Sequence, residues 1–317
     1  MNSDRSPSGE NRIDAPNAGG GPLEARYLAF LETITQLRPS LHRYCSRMTG
    51  SVLDGEDVVQ EALFQAYRKL DTFDDTRPLA PWLFRIAHNC SIDFLRRRGI
   101  RQEAESEVAS AEEDSTPPVE PVGKALGKAV EHLVLALPPK ERACVLLKDV
   151  FDYSLEEIAE LVGSTVGGVK AALNRGRSKL AARPAAAAPA RVGKHQDAEI
   201  LQLYVDRFNE GDWAGLRELI AADAQLRVHD RFLGRLDRSP YFGMYQREHP
   251  PASWRMVIGE VDGEAAIVVL HAADEEWMPD YALRLHVVNG RIVRITDYWH
   301  CPWVIPAAAS LVADQPA

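Results

Sequence analysis

The sequence has 317 residues but no apolar run near the roughly 18 to 20 residues that cross a bilayer. No transmembrane helix or membrane partner is expected, and the chain reads as cytoplasmic. The opening stretch MNSDRSPSGENRIDAPNAGGGP has no apolar core segment of the kind a secretory signal needs, which predicts a disordered leader over 1–22. Cysteine is scarce. Cys45, Cys90, Cys144 and Cys301 lie at least 45 residues apart and form no CxxC or Cys/His cluster. They read as small buried hydrophobes in a reducing compartment, so neither a disulfide framework nor a metal site is expected. A Walker loop, a GxGxxG after a strand, HExxH and GxSxG are all missing, and no cofactor is implied.

Basic charge is also in deficit overall, at a net −9, which weighs against nucleic-acid binding only if it is spread evenly. It is not. Residues 197–317 hold 19 acids and 11 bases, whereas residues 1–196 hold 27 and 26. Within that near-neutral part the signs separate again. Arg85 to Arg101 carries Arg85, Arg96, Arg97, Arg98 and Arg101 against Asp93 alone, and Thr165 to Leu180 carries Lys170, Arg175, Arg177 and Lys179 with no acid. Between them, Gln102 to Pro121 has seven acids and no base. Phosphate attraction decays within about 8 to 10 Å, so two local basic segments suffice for DNA contact.

With 45% hydrophobic residues the chain can bury large cores, and its length predicts two or three domains. From residue 23 to 101 apolar residues recur at helical spacing, with breaks at Arg38-Pro39, Gly50 to Gly55 and Asp71 to Pro81, which predicts about four helices. Residues 102–121 read as a solvated acidic linker. A second helical unit spans 122–183, with Pro138-Pro139 at a helix start and Ser154 to Glu157 as a capping box. Gly163 ends that short helix, and Ser164 or Thr165 caps a basic one, which is the outline of a helix-turn-helix. After an Ala/Pro linker at 184–196 the pattern changes: over 197–306 amphipathic helices precede hairpins turning at Asp262-Gly263 and Asn289-Gly290, and 307–317 reads as a tail. The predicted class is two all-α domains followed by an α+β domain with a curved antiparallel sheet.

The basic helix of the helix-turn-helix is about 24 Å long and fits a major groove. Its Gly167-Gly168 pair costs about 1 kcal/mol per residue relative to Ala, but small residues let the backbone approach DNA closely. The other basic segment ends a helix with polar groups at one-turn intervals, which suits tracking a phosphate backbone and holding unpaired bases.

Three blocks carry a resemblance: Asp54-Gly55-Glu56-Asp57-Val58-Val59-Gln60-Glu61-Ala62, Trp82-Leu83-Phe84-Arg85-Ile86-Ala87-His88-Asn89, and Leu137-Pro138-Pro139-Lys140-Glu141-Arg142 with the helix-turn-helix after it. In this order the chain resembles bacterial sigma factors of the extracytoplasmic-function type over residues 23–183. The resemblance implies a non-enzymatic protein that binds core RNA polymerase, directs it to a promoter and helps open the duplex. It places Asp57, Gln60 and Glu61 against the clamp helices of the large polymerase subunit. Arg85, Asn89, Asp93 and Arg96 to Arg98 fall at the minus-ten element, and the Asp71 to Pro81 loop receives a flipped base, where Trp82 stacks or belongs to the core. Thr165, Lys170, Asn174, Arg175 and Arg177 fall at the minus-thirty-five element.

The C-terminal part resembles the cone-shaped SnoaL-like (nuclear-transport-factor-like) fold, some members of which are isomerases or cyclases. His229, Asp230, Tyr241, Trp254, His286, Asp297 and Trp299 are the candidate pocket residues, since a carboxylate in an apolar pocket has a raised pKa and can act as a base. Residues alone leave two other readings open: a helix-turn-helix regulator that never meets polymerase, and an isomerase-, cyclase- or hydrolase-type enzyme in the cone. The short tether predicts intramolecular contact between the C-terminal domain and the sigma domains, and so a regulatory role.

Overall fold

The computed structural model describes residues 22–74, 76–109, 134–182, 198–229, 231–248, 253–273 and 276–313. The expected linker at 184–196, most of the leader, and Asp230 lie outside them. Helix α1 (Pro22–Thr49) runs straight through Pro39, where a break was predicted. A mid-helix proline costs about 3 kcal/mol; burial of Phe30 before it and of Leu41, Tyr44, Cys45 and Met48 after it outweighs that. Gly50, at φ +89°, turns the chain, and the Ser51 side chain accepts from Asp54 N to cap α2 (Val52–Lys69). The two helices approach so closely that a Cβ on Gly55 would stand 2.6 Å from Ser46 Cα. Helix α3 (Leu79–Ala109) completes three helices rather than about four. It continues into the expected acidic linker, because Glu and Ala at 103–109 are good helix formers.

The second helical unit holds α4 (Pro139–Val145), a π-helical turn over Leu146–Val150, α5 (Leu155–Leu161) and α6 (Val166–Ala181). Pro139 occupies the first turn of α4, the Ser154–Glu157 capping box is fully formed, and Thr165 rather than Ser164 caps α6. This unit packs on the first: Phe151 and Tyr153 meet Phe84 edge-on, each at 5.6 Å. Buried Arg142 seals the junction by donating to the Met48 and Leu137 carbonyls.

The C-terminal unit begins with α7 (Ala198–Glu210) and α8 (Trp213–Leu219) and continues as β1 (Ile220–Val228), β2 (Phe232–Arg235), α9 (Tyr241–Glu248), β3 (Trp254–Val261), β4 (Glu264–Ala273), β5 (Glu276–Val288), β6 (Arg291–Asp297), α10 (Val304–Ala307) and β7 (Leu311–Ala313). Both expected hairpins form, with positive φ at Asp262, Gly263, Asn289 and Gly290 as a type I′ turn demands. The sheet order is β2-β1-β6-β5-β4-β3-β7. It is mixed rather than purely antiparallel, because β1 pairs in parallel with β6 across two intervening hairpins. The expected tail instead supplies β7, which pairs with β3 where Gly259 leaves room: a Cβ there would lie 2.4 Å from Val312 O.

The two sheet faces have different fates. One packs under α7, α8 and α9 with Tyr204, Phe208, Tyr241, Tyr245, Trp254 and Tyr281. Val257, Val261 and Val268 on the other face, with Tyr298 and Val304, form an apolar cluster around Val52 and Leu53 of α2. The start of α2 is therefore buried inside the C-terminal unit, which contributes about 1.5–3 kcal/mol for each of those two side chains.

Candidate functional site

The acidic face of α2 lies on this junction. Asp57 Oδ1 is 3.1 Å from His229 Nε2 and 3.5 Å from Arg227 Nη1, and Asp57 Oδ2 is 3.5 Å from Arg284 Nη1. Burial alone would raise the Asp57 carboxyl, but the His229 contact and the Arg284 and Arg227 charges hold it below its ordinary value. Arg284 is a fork: Nη1 donates to Asp54 at 2.9 Å and Nη2 to Glu264 at 2.8 Å. Glu56 is wholly buried, paired with Arg38 and accepting from Trp303 Nε1 at 2.9 Å and Gln60 Nε2 at 3.3 Å. Asp262 accepts from Val52 N at 2.8 Å and from Ala309 N at 2.7 Å, tying the start of α2 to the C-terminal segment. Of the three residues the resemblance places at polymerase, Asp57 faces the C-terminal unit, Gln60 is half-buried and Glu61 is exposed.

On α3, Arg85, Asn89, Asp93, Arg96 and Arg97 recur at one-turn intervals along an exposed stripe, with Arg96 3.1 Å from Asp93. Arg98 leaves that stripe. It donates to Asp54 at 2.9 Å and Glu264 at 3.1 Å, which bridges α2, α3 and β4. Trp82 is half-buried, its ring 4.7 Å from that of Phe73.

Helix α6 buries Val169, Ala172, Leu173 and Gly176 and exposes Thr165, Gly167, Lys170, Ala171, Asn174, Arg175, Arg177 and Ser178. Glu141 of α4 accepts from Arg175 Nε at 2.8 Å and Lys179 Nζ at 2.7 Å; the Lys179 and Arg175 bonds hold its carboxyl below the ordinary range. Arg177 pairs with Asp149, which raises the guanidinium above its usual value.

In the C-terminal unit, Tyr241 and Tyr245 each donate to Asp297 Oδ2 at 2.7 Å, and Trp299 N donates to Oδ1 at 2.8 Å. Burial raises the Asp297 pKa, although the Tyr245 and Tyr241 bonds oppose it. Trp254 and Trp299 pack on Tyr245, at 6.0 and 5.6 Å. His229 and His286 do not join them. Strand alternation puts His286 on the side of Arg284 while Asp297 pairs across from Leu283, and His229 faces Asp57. His229 meets Asp297 through the backbone, its N–H donating to the Asp297 carbonyl at 3.1 Å, while its ring faces Asp57. Arg227, Arg284, Glu264, Asp262, Trp303 and Glu141 were missed from sequence. Arg284 left one signal, as a lone cation between alternating apolar positions of β5.

Residues 33–100 match the family described as Sigma-70 region 2, and residues 127–180 match Sigma-70, region 4. The chain is 33% identical over 162 residues to the ECF RNA polymerase sigma factor SigW of Bacillus subtilis, covering 48% of this chain and 87% of that protein. It is 28% identical over an alignment of 325 positions to SigG of Mycobacterium tuberculosis, covering 89% of this chain and 83% of that one. Among solved structures, the M. tuberculosis extracytoplasmic function sigma factor SigJ matches 84% of this chain and 95% of its own, at 19% identity and a TM-score of 0.34. With regions 2 and 4 both present and in order, the chain belongs to the extracytoplasmic-function RNA polymerase sigma factors.

Proposed function

We propose that this sigma factor meets the clamp helices of core polymerase through Asp57, Gln60 and Glu61 and promoter DNA through the α3 stripe and α6, and that its C-terminal domain restrains the first of these contacts. The observation that carries the reading is the setting of Asp57. Arg227 and Arg284 give the carboxylate the complementary charge that a basic docking partner would offer, and His229 Nε2 lies 3.1 Å from it, so the C-terminal domain and polymerase compete for one residue. Arg98 is shared in the same way, since a phosphate and the Asp54/Glu264 pair compete for one guanidinium.

The C-terminal domain acts on the sigma domains by contact. Asp297 is held by two phenols and a backbone N–H, so both of its carboxylate oxygens accept hydrogen bonds within the protein. Among the described residues no helix is long and apolar enough to cross a membrane.

In vitro initiation on a pool of upstream fragments tests the proposal. Core polymerase with the full chain is expected to start at discrete positions, and an R227A/R284A variant is expected to reach half-maximal initiation at a lower factor concentration. No discrete starts from either protein would refute promoter direction. Identical concentration dependence would refute the restraint.

A further inference from the structure

Lys170, Arg175 and Arg177 are all charged and exposed on α6, but their side chains are not equally free. At 3.6 residues per turn, Gly167, Ala171, Asn174 and Ser178 form the face opposite buried Val169, Ala172, Leu173 and Gly176, with Lys170 at its edge. Arg175 and Lys179 lie on one flank, where Glu141 binds both, and Arg177 lies on the other, where Asp149 binds it. No hydrogen bond or ion pair ties the Asn174 or Lys170 side chain to another described residue. The outward face thus presents one amide, one cation and otherwise small groups.

The adjacent glycines differ in a telling way. A Cβ on Gly168 would lie 2.7 Å from Ser164 Oγ and 3.3 Å from Thr165 Oγ1, the oxygen that caps the helix, so a side chain there would crowd the cap. A Cβ on Gly167 would meet only Thr165 Oγ1, at 4.0 Å. Folding gives Gly167 no reason to lack a side chain, and glycine is a poorer helix former than alanine. Close approach of this first turn to another surface is what a missing side chain at an outward position permits.

We propose that Asn174 is the base-reading residue of α6, selecting adenine in the upstream promoter element, and that Gly167 lets the helix sit deep enough in the major groove for it to do so. The amide of an asparagine can accept from adenine N6 and donate to N7 at once, a pairing no other base edge offers. Arg175 and Arg177, held sideways by carboxylates, are placed for phosphates along the groove walls and add affinity without base preference. Ala171, one turn before Asn174, leaves a methyl-sized contact beside it. The inference rests on the reading that α6 meets the upstream element.

The test uses holoenzyme made from core polymerase and the full chain, assayed on promoters with every single-base change across the upstream element. With the unaltered chain, one position is expected to demand adenine. Asn174→Ala is expected to erase that preference by roughly 10- to 100-fold while leaving preferences elsewhere intact. Because Asn174 is exposed, the variant is expected to keep its melting temperature. Gly167→Ala is expected to melt no lower and still bind all upstream sequences several-fold more weakly. If Asn174→Ala weakens every sequence equally, or keeps the adenine preference, the assignment is wrong although α6 still binds the element. If the unaltered chain shows no upstream preference at all, the reading of α6 is wrong as well, and the assignment goes with it.

Discussion

Replacing Arg284 by Ala removes a group that touches three carboxylates at the junction. Its guanidinium lies 2.9 Å from Asp54, 2.8 Å from Glu264 and 3.5 Å from Asp57. Removing one member of a buried ion pair costs about 3–5 kcal/mol. Here the Arg284 side chain is 25% exposed, and Arg98 still serves Asp54 and Glu264, so about 2–3 kcal/mol is the better figure. If that energy holds the C-terminal domain on α2, its loss raises the open fraction by roughly 30- to 150-fold until the open form dominates. The apparent dissociation constant for core polymerase is expected to fall by the same factor, read by anisotropy of the labelled full chain at fixed salt. Arg284→Lys keeps the charge but loses the fork, and is expected to fall between the two. Hydrogen exchange at Val52 N, which donates to Asp262 at 2.8 Å, reports opening directly. Faster exchange at Val52 with unchanged polymerase affinity would refute the competition.

Three other predictions follow from single sites. Burial lowers His88 from 6.5 to about 4, so the unfolded chain takes up the proton first. Its contribution is complete above pH 6.5 and is lost as the pH falls toward 4, at a cost of roughly 2 kcal/mol between pH 7 and 5, visible as a lower urea midpoint. His42, also lowered chiefly by burial, adds a loss of the same sign, and His88→Phe is expected to flatten the profile without abolishing it. Gly55→Ala would place a methyl 2.6 Å from Ser46 Cα and N, which are backbone atoms that cannot rotate away; a destabilisation of about 3 kcal/mol or more is expected by calorimetry. Glu141→Gln frees Arg175 and Lys179, both about half exposed, so stability is expected to change by no more than ~1 kcal/mol. Promoter binding is expected to become more salt-dependent, with a slope steeper by about one to two; an unchanged slope would mean that neither cation reaches phosphate.

Features fixed by local chemistry were legible in the sequence. Asp262-Gly263 and Asn289-Gly290 require positive φ at both positions, so both hairpins could be placed to the residue. The Ser154 to Glu157 capping box and the Gly163 stop located the helix-turn-helix for similar reasons. Features fixed by distant packing were not legible. Pro39 reads as a break, and only the core around Tyr44 keeps α1 continuous. The parallel pairing of β1 with β6 joins strands separated by two hairpins, and nothing in either strand announces its partner. His286 and Asp297 are both candidate pocket residues by sequence, and strand parity sets them on opposite faces of one sheet.

The docking of the two units shows why charge totals mislead at this scale. Residues 197–317 carry a balance of −8, and the α2 face they cover presents Asp54 and Asp57, so a whole-domain estimate predicts repulsion. Contact is decided within a few ångströms, and there the C-terminal unit places Arg227, His229 and Arg284 against those acids. Of the two acids it adds, Glu264 is met by Arg98 from the sigma side and Asp262 accepts from Val52 N. Arg98 follows the same logic within a single helix. Three consecutive arginines point about 100° apart, so Arg96 and Arg97 stay on the exposed stripe while their neighbour turns to Asp54 and Glu264. What each side chain of a basic run does therefore depends on the element packed against it.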